Sequence, residues 1–221
     1  MIGFMIVGGI INSRLKNRFK KYSKVPTSSG LSGKEIAEKM LADNAINDVK
    51  VISVAGKLTD HYNPMDKTVN LSADVYLGKH VSAAAVAAHE CGHALQHASS
   101  YKWLHMRSQM VPMVNYSNKM MGMIFLFGIF GVSFLRIISF NQLIMLFIML
   151  QTIVTAFTLI TLPVEIDASK RALVWLKKSN ITNTYELRCA NDALRWAANT
   201  YIVSALAAVT YLFYYITLLK E

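Results

Sequence analysis

Two cysteines in 221 residues, Cys91 and Cys189, cannot build a disulfide framework, and neither has the spacing of a zinc knuckle. Both read as packing residues. Acids are scarce as well: 13 Asp and Glu against 23 Lys and Arg give a formal net charge of +10. None precedes Glu35 and none falls between Glu90 and Glu165. So basic a chain raises the question of nucleic acid. It has no aromatic-basic interleaving and no nucleic-acid motif, and its basic residues flank apolar runs. The implied partner is therefore the anionic headgroups of a lipid bilayer, and no nucleic acid is expected. Internal repeats and low-complexity tracts are missing too.

What the chain has in excess is apolar surface: 53% hydrophobic residues and a mean hydropathy of +0.33, localised in a few runs. "MMGMIFLFGIFGVSFL" at 120–135 and "LIMLFIMLQTIVTAFTLITLPV" at 143–164 carry no charge, and only "RIISFNQ" with Arg136 between them does. They read as a transmembrane hairpin, 119–164. "IVSALAAVTYLFYYITLL" at 202–219 has spanning length, giving a C-terminal membrane helix over 201–219. The opening "MIGFMIVGGII" is shorter. It lacks a preceding basic residue and a cleavage site, so residues 1–12 read as a short retained anchor. Arg14, Lys16, Arg18, Lys20, Lys21 and Lys24 follow it, and Lys170, Arg171, Lys177, Lys178, Arg188 and Arg195 crowd residues 165–200. The positive-inside rule puts both stretches in the cytoplasm.

Between these segments, 25–118 is the main cytoplasmic part. Ser32 opens an expected helix in "SGKEIAEKMLADNAI". "VKVISVAG" and "KLTDHYNPMDKTVNLSADVY" read as strands of a small antiparallel sheet, with Asn63-Pro64-Met65-Asp66 as a hairpin turn. A free strand edge there could hold an extended peptide by backbone pairing, or be an ordinary protected edge.

The stretch "VSAAAVAAHECGHALQHASS" carries the chemistry. Ser82 is the expected N-cap, and small helix formers follow it. On a helix, His89 and His93 lie one above the other and can share one cation. Glu90 lies about 100° round from His89, placed to reach a water bound to the metal. Zinc lowers the pKa of such a water to about 7, and a carboxylate can take its proton as a peptide carbonyl is attacked. Metal-assisted amide hydrolysis is the expected chemistry, with Zn2+ as cofactor, a protein or peptide as substrate and Glu90 as catalytic base.

A third metal ligand is needed beside His89 and His93. Position 99, where one class of such sites has a histidine, is Ser99, and His97 is about 12 Å along the helix from His89. The next acids are Glu165 and Asp167 in "LPVEIDASKRA". Glu165 starts a new helical pattern after Pro163, and Ala168 gives a smooth surface for close packing on the His helix, so Glu165 is the expected third ligand. The even number of spans between His93 and Glu165 returns the chain to the same side. The apolar run before His89 is too short to span, so the site belongs at the cytoplasmic membrane surface. His61 and Tyr201 are candidates to donate a hydrogen bond to the oxyanion. Two other readings stand beside the protease: a membrane scaffold or adaptor with a non-catalytic zinc site, and a zinc hydrolase of a non-peptide substrate. The sequence sets no oligomeric state.

"YSKVPTSSGLSGKEIAEKML", "LTDHYNPMDKTVNLS", "VAAHECGHALQHA" and "LPVEIDASKRAL" in this order resemble the YugP-type family of small bacterial membrane zinc metallopeptidases. The last block is also similar to the glutamate-bearing helix of the wider gluzincins, including HtpX-like and CAAX-prenyl proteases. That likeness implies Glu165 as ligand and Ala168 as the family alanine, while Ser169 stands where the wider group has Asp. It implies an endopeptidase in the bacterial cell membrane. The expected fold is α+β: a mainly helical integral membrane protein with a gluzincin-like core and about four membrane segments.

Overall fold

The computed structural model describes residues 2–130 and 139–220. The end of the 120–135 run and the turn at Arg136 lie largely outside the described residues. The order is α1 (Ile2–Tyr22), α2 (Gly33–Asp43), β1 (Lys50–Val54), β2 (His61–Asn63), β3 (Thr68–Ser72), α3 (Ala73–Tyr76), α4 (Val81–Ala98), α5 (Lys102–Phe130), α6 (Phe140–Lys178) and α7 (Thr184–Leu218).

Helix α2 starts where the sequence places it. Ser32 Oγ accepts the Glu35 N–H and Glu35 reaches back to the Ser32 N–H, a reciprocal cap. Helix α4 starts differently: its N-cap is His80, whose Nδ1 accepts the Ala83 N–H at 3.1 Å, while Ser82 sits buried in the first turn. The expected Ser82 cap is displaced because the chain is already pinned upstream. Val81 N–H donates to Val25 O, and His80 bridges Pro26.

The sheet is mixed, not antiparallel. β2 and β3 form the expected hairpin, with the Asn63 side chain accepting the Met65 N–H and donating to Asp66 across the turn. β1 pairs with the other side of β3 in parallel, giving the order β1-β3-β2. The hairpin turn fixes β2 against β3, whereas β1 is joined to β2 through residues 55–60 and lies across β3 from it, with no tight turn to set its direction. β3 is the central strand, with Val69, Asn70, Leu71 and Ser72 buried. β2 is left as an edge next to α4.

Helix α4 is the axis of the buried core. Ala83 through Ala88, Cys91 and Ala94 are all buried, surrounded by Ile36, Met40, Leu71, Leu176 and Ala190 from α2, β3, α6 and α7. Small residues on every face of a helix let other elements approach on every side. Gly92 sets the closest approach: a Cβ there would lie 2.5 Å from the Ala168 carbonyl oxygen of α6.

Helix α6 does not begin after Pro163; it runs unbroken from Phe140 through it, capped by Ser139. The proline removes the bond to the Leu159 carbonyl, a loss that the rest of a 39-residue helix outweighs. Among the described residues, α6 and α7 are long and apolar enough to cross a membrane, yet only 22% and 11% of their most apolar windows are buried. Met145, Met149, Leu206 and Phe213 point outward, while Gln151 and Thr155 of α6 are buried and donate to the Ala208 carbonyl of α7. Polar inside and apolar outside is the pattern a hydrocarbon solvent selects. Residues 2–12 are the first half of α1, whose later turns reach α7: Tyr22 OH donates to Asp192 at 2.6 Å and Arg18 pairs with the same carboxylate.

Candidate metal centre

The close approach of Gly92 to Ala168 brings the inner faces of α4 and α6 together. Ligand atoms of His89, His93 and Glu165 lie within 4.8 Å of one another. Glu165 Oε2 is 3.3 Å from His89 Nε2 and 3.7 Å from His93 Nε2. Glu165 and His93 are buried and His89 nearly so.

The far sides of the two imidazoles are held. Ser169 Oγ lies 3.1 Å from His89 Nδ1. His93 Nδ1 lies 3.0 Å from Gln96 Oε1. The Gln96 amide nitrogen donates to the Val164 carbonyl at 2.8 Å and to Asp167 Oδ2 at 2.9 Å. Both of those partners only accept, which fixes the amide's orientation and makes His93 Nδ1 the donor to Gln96 Oε1. Neutral His93 then presents the lone pair of Nε2 to a carboxylate oxygen. Two acceptors facing each other in a buried site need a proton or a metal cation between them, and two imidazoles with one carboxylate are a donor set for zinc. The residues fit the ion.

Asp167 is turned away from this centre. Its Oδ2 accepts from Arg171 Nε at 2.6 Å and from Gln96, so it reaches His93 only through that amide. Glu90 lines the same cavity, of about 160 Å³, but is not among the converging donors. Its Oε2 accepts the Tyr62 N–H of β2 at 3.0 Å. Burial pushes the Glu90 carboxyl up to about 7, with Glu165 and Asp60 adding to the rise while His89 and the Tyr62 N–H oppose it.

His61 and Tyr201 both line the cavity. His61 Nδ1 lies 2.8 Å from the Thr59 carbonyl and so must donate to it, which leaves the other nitrogen without a proton unless the ring is charged. The Tyr201 hydroxyl carries a proton at neutral charge. His97 is elsewhere, hydrogen-bonded to Tyr62 OH at 2.7 Å, and Cys91 and Cys189 are buried in the core.

Sequence reasoning missed Gln96 and Arg107. Gln96 carries a signal, since it is three residues after His93 on the same helix and therefore on the same face. Arg107, on α5, has its guanidinium 3.6 Å from Glu165 Oε1. No spacing connects it to either motif.

Over residues 1–220 the chain matches the family described as "Putative neutral zinc metallopeptidase". It is 41% identical over 196 residues, 89% of this chain and 84% of the relative, to the "Putative membrane protease YugP" of Bacillus subtilis (strain 168). No solved structure matches.

Proposed function

The chain belongs to the neutral zinc metallopeptidase family, and from that membership we propose that it is a membrane-bound endopeptidase, gluzincin-like in its ligand set, that cleaves protein substrates at the cytoplasmic membrane surface. The observation that carries this reading is the convergence of His89, His93 and Glu165 beside a buried fourth group, Glu90, in one cavity. A purely structural zinc site closes its coordination with protein ligands, usually cysteines. This one offers three donors and a carboxylate held apart from them by the Tyr62 N–H.

Bound to His89, His93 and Glu165, zinc supplies a Lewis acid for the substrate carbonyl and a water acidified to a pKa of about 7. Glu90 takes the proton of the attacking water as its oxygen bonds to the peptide carbon. It returns that proton to the departing amine nitrogen as the C–N bond breaks. Tyr201 is the better-placed oxyanion donor at neutral pH, because His61 gives its proton to Thr59. Ser169 and Gln96 hold the two imidazoles in orientation, and Gln96 sets the His93 tautomer that leaves Nε2 for the metal. The basic stretches of 14–24 and 165–200 face the cytoplasm in this reading, and Glu165 follows directly on the apolar run of α6.

The test is Glu90→Gln. Hydrolysis of unfolded, fluorescein-labelled casein should fall by at least about 100-fold, the lower end of what one general base contributes, with zinc still bound at wild-type stoichiometry. Full activity in this variant, or loss of its metal, would refute the role given to Glu90.

A further inference from the structure

Arg107 has five N–H donors and no hydrogen-bond acceptor among the described residues. Its Nε is buried without a partner, and its sole ionic contact is Glu165 Oε1 at 3.6 Å, beyond hydrogen-bond length. A buried donor of a charged group left unfilled, as Nε is here while the side chain as a whole is 31% exposed, is costly. It is tolerated at sites that something else fills. The side chain lines the same cavity as Glu90 and the His–Glu cluster, together with Leu104 and Ser108 from its own helix.

The two oxygens of Glu165 are divided between different neighbours. Oε2 faces both imidazoles and Oε1 faces Arg107. The guanidinium therefore meets Glu165 at the oxygen that the imidazoles do not share, on the wall of the same cavity. Its unfilled donors leave it free to take an oxygen of a chain bound in that cavity. A planar fork of donors suits a main-chain carbonyl oxygen and can hold it without reading any side chain.

Building on the peptidase reading, we propose that Arg107 is a substrate-binding residue whose guanidinium holds a main-chain carbonyl of the substrate flanking the scissile bond. The charge fixes the register of the peptide while Glu90 and the metal ligands act on the bond itself. Because the hydrogen bond is present in the ground state and the transition state alike, it contributes to KM more than to kcat.

The experiment compares two zinc-binding probes on the purified zinc protein. Acetohydroxamate offers only the metal-binding group, whereas a hydroxamate joined to a short peptide also offers flanking carbonyls. In Arg107→Met the peptidyl probe should bind about 10- to 100-fold more weakly, the loss expected for one hydrogen bond to a charged group. Acetohydroxamate affinity and zinc content should not change. Arg107→Lys, which keeps the charge, should recover part of the loss and guards against a folding defect in the methionine variant. Equal weakening of both probes would assign Arg107 to holding Glu165 and overturn the proposal, as would unchanged binding of both. Failure of both probes to bind the wild-type zinc protein would refute the peptidase reading beneath it, a result distinct from either of these.

Discussion

Gln96 and Ser169 each occupy the imidazole nitrogen that faces away from Glu165, so their loss should cost metal affinity while leaving the ligands themselves in place. Gln96→Leu is expected to weaken zinc binding about 10- to 100-fold in competition with a chelator. An unchanged affinity would mean that the amide does not set the His93 tautomer. The residues with chemistry of their own were readable from the sequence as candidates, because two histidines one turn apart and the next acid along the chain leave few choices. Those that act by spatial neighbourhood were not. Asp167 shows why: two residues from Glu165 it was readable as a second carboxylate facing elsewhere, but its route to His93 through Gln96 exists only once α4 and α6 are packed. Arg107 has no sequence signal at all.

At the level of elements, α4 carries both a dependence on pH and a dependence on close packing. His80 caps it by accepting the Ala83 N–H and bonding Ser82 Oγ at Nδ1, and partial burial lowers its pKa from the ordinary 6.5 while Asp74 opposes. A proton on Nδ1 converts the acceptor into a donor and removes the cap. Since the folded form resists protonation more than the unfolded form, the contribution is present above about pH 6.5 and is lost as pH falls below it. His80→Asn, which caps without titrating, should lose less stability than wild type between about pH 7 and pH 5. The difference, about 1 kcal/mol, can be read from melting curves in detergent, and parallel curves would exclude His80 as the source. Gly92→Ala tests the packing. The added methyl meets the Ala168 carbonyl, so the variant should be destabilised by about 1–3 kcal/mol and bind zinc more weakly. Wild-type melting would show that α6 can move aside freely. The sequence conveyed that Ala168 allows close approach, but not that Gly92 is its counterpart. It also marked Pro163 as a start where α6 in fact continues, since a proline signal is local and the helix is held by its neighbours. The direction of β1 was equally unreadable, because no turn of fixed geometry joins it to its partner.

For the molecule as a whole, the decisive feature is that its longest apolar helices expose their apolar side chains and bury Gln151 and Thr155. The apolar runs of α6 and α7 were legible from hydropathy, whereas their buried polar contacts to Ala208 required the packed pair. The topology proposed above has residues 165–200 in the cytoplasm and Asn141 outside. A cysteine at Asn141 should therefore be labelled in intact cells by an impermeant maleimide, and one at Lys178 only after the membrane is opened. The opposite pattern would invert the topology. Labelling of both in intact cells would break the return of the chain that lets Glu165 meet His89 and His93.

The most direct measurement on the central claim is zinc per chain in purified wild type and in the Glu165→Ala and Asp167→Ala variants. One equivalent in wild type and in Asp167→Ala, with none retained by Glu165→Ala, is the result that the convergence of Glu165 on both Nε2 atoms predicts. Stoichiometric zinc in Glu165→Ala, or its loss from Asp167→Ala alone, would contradict it.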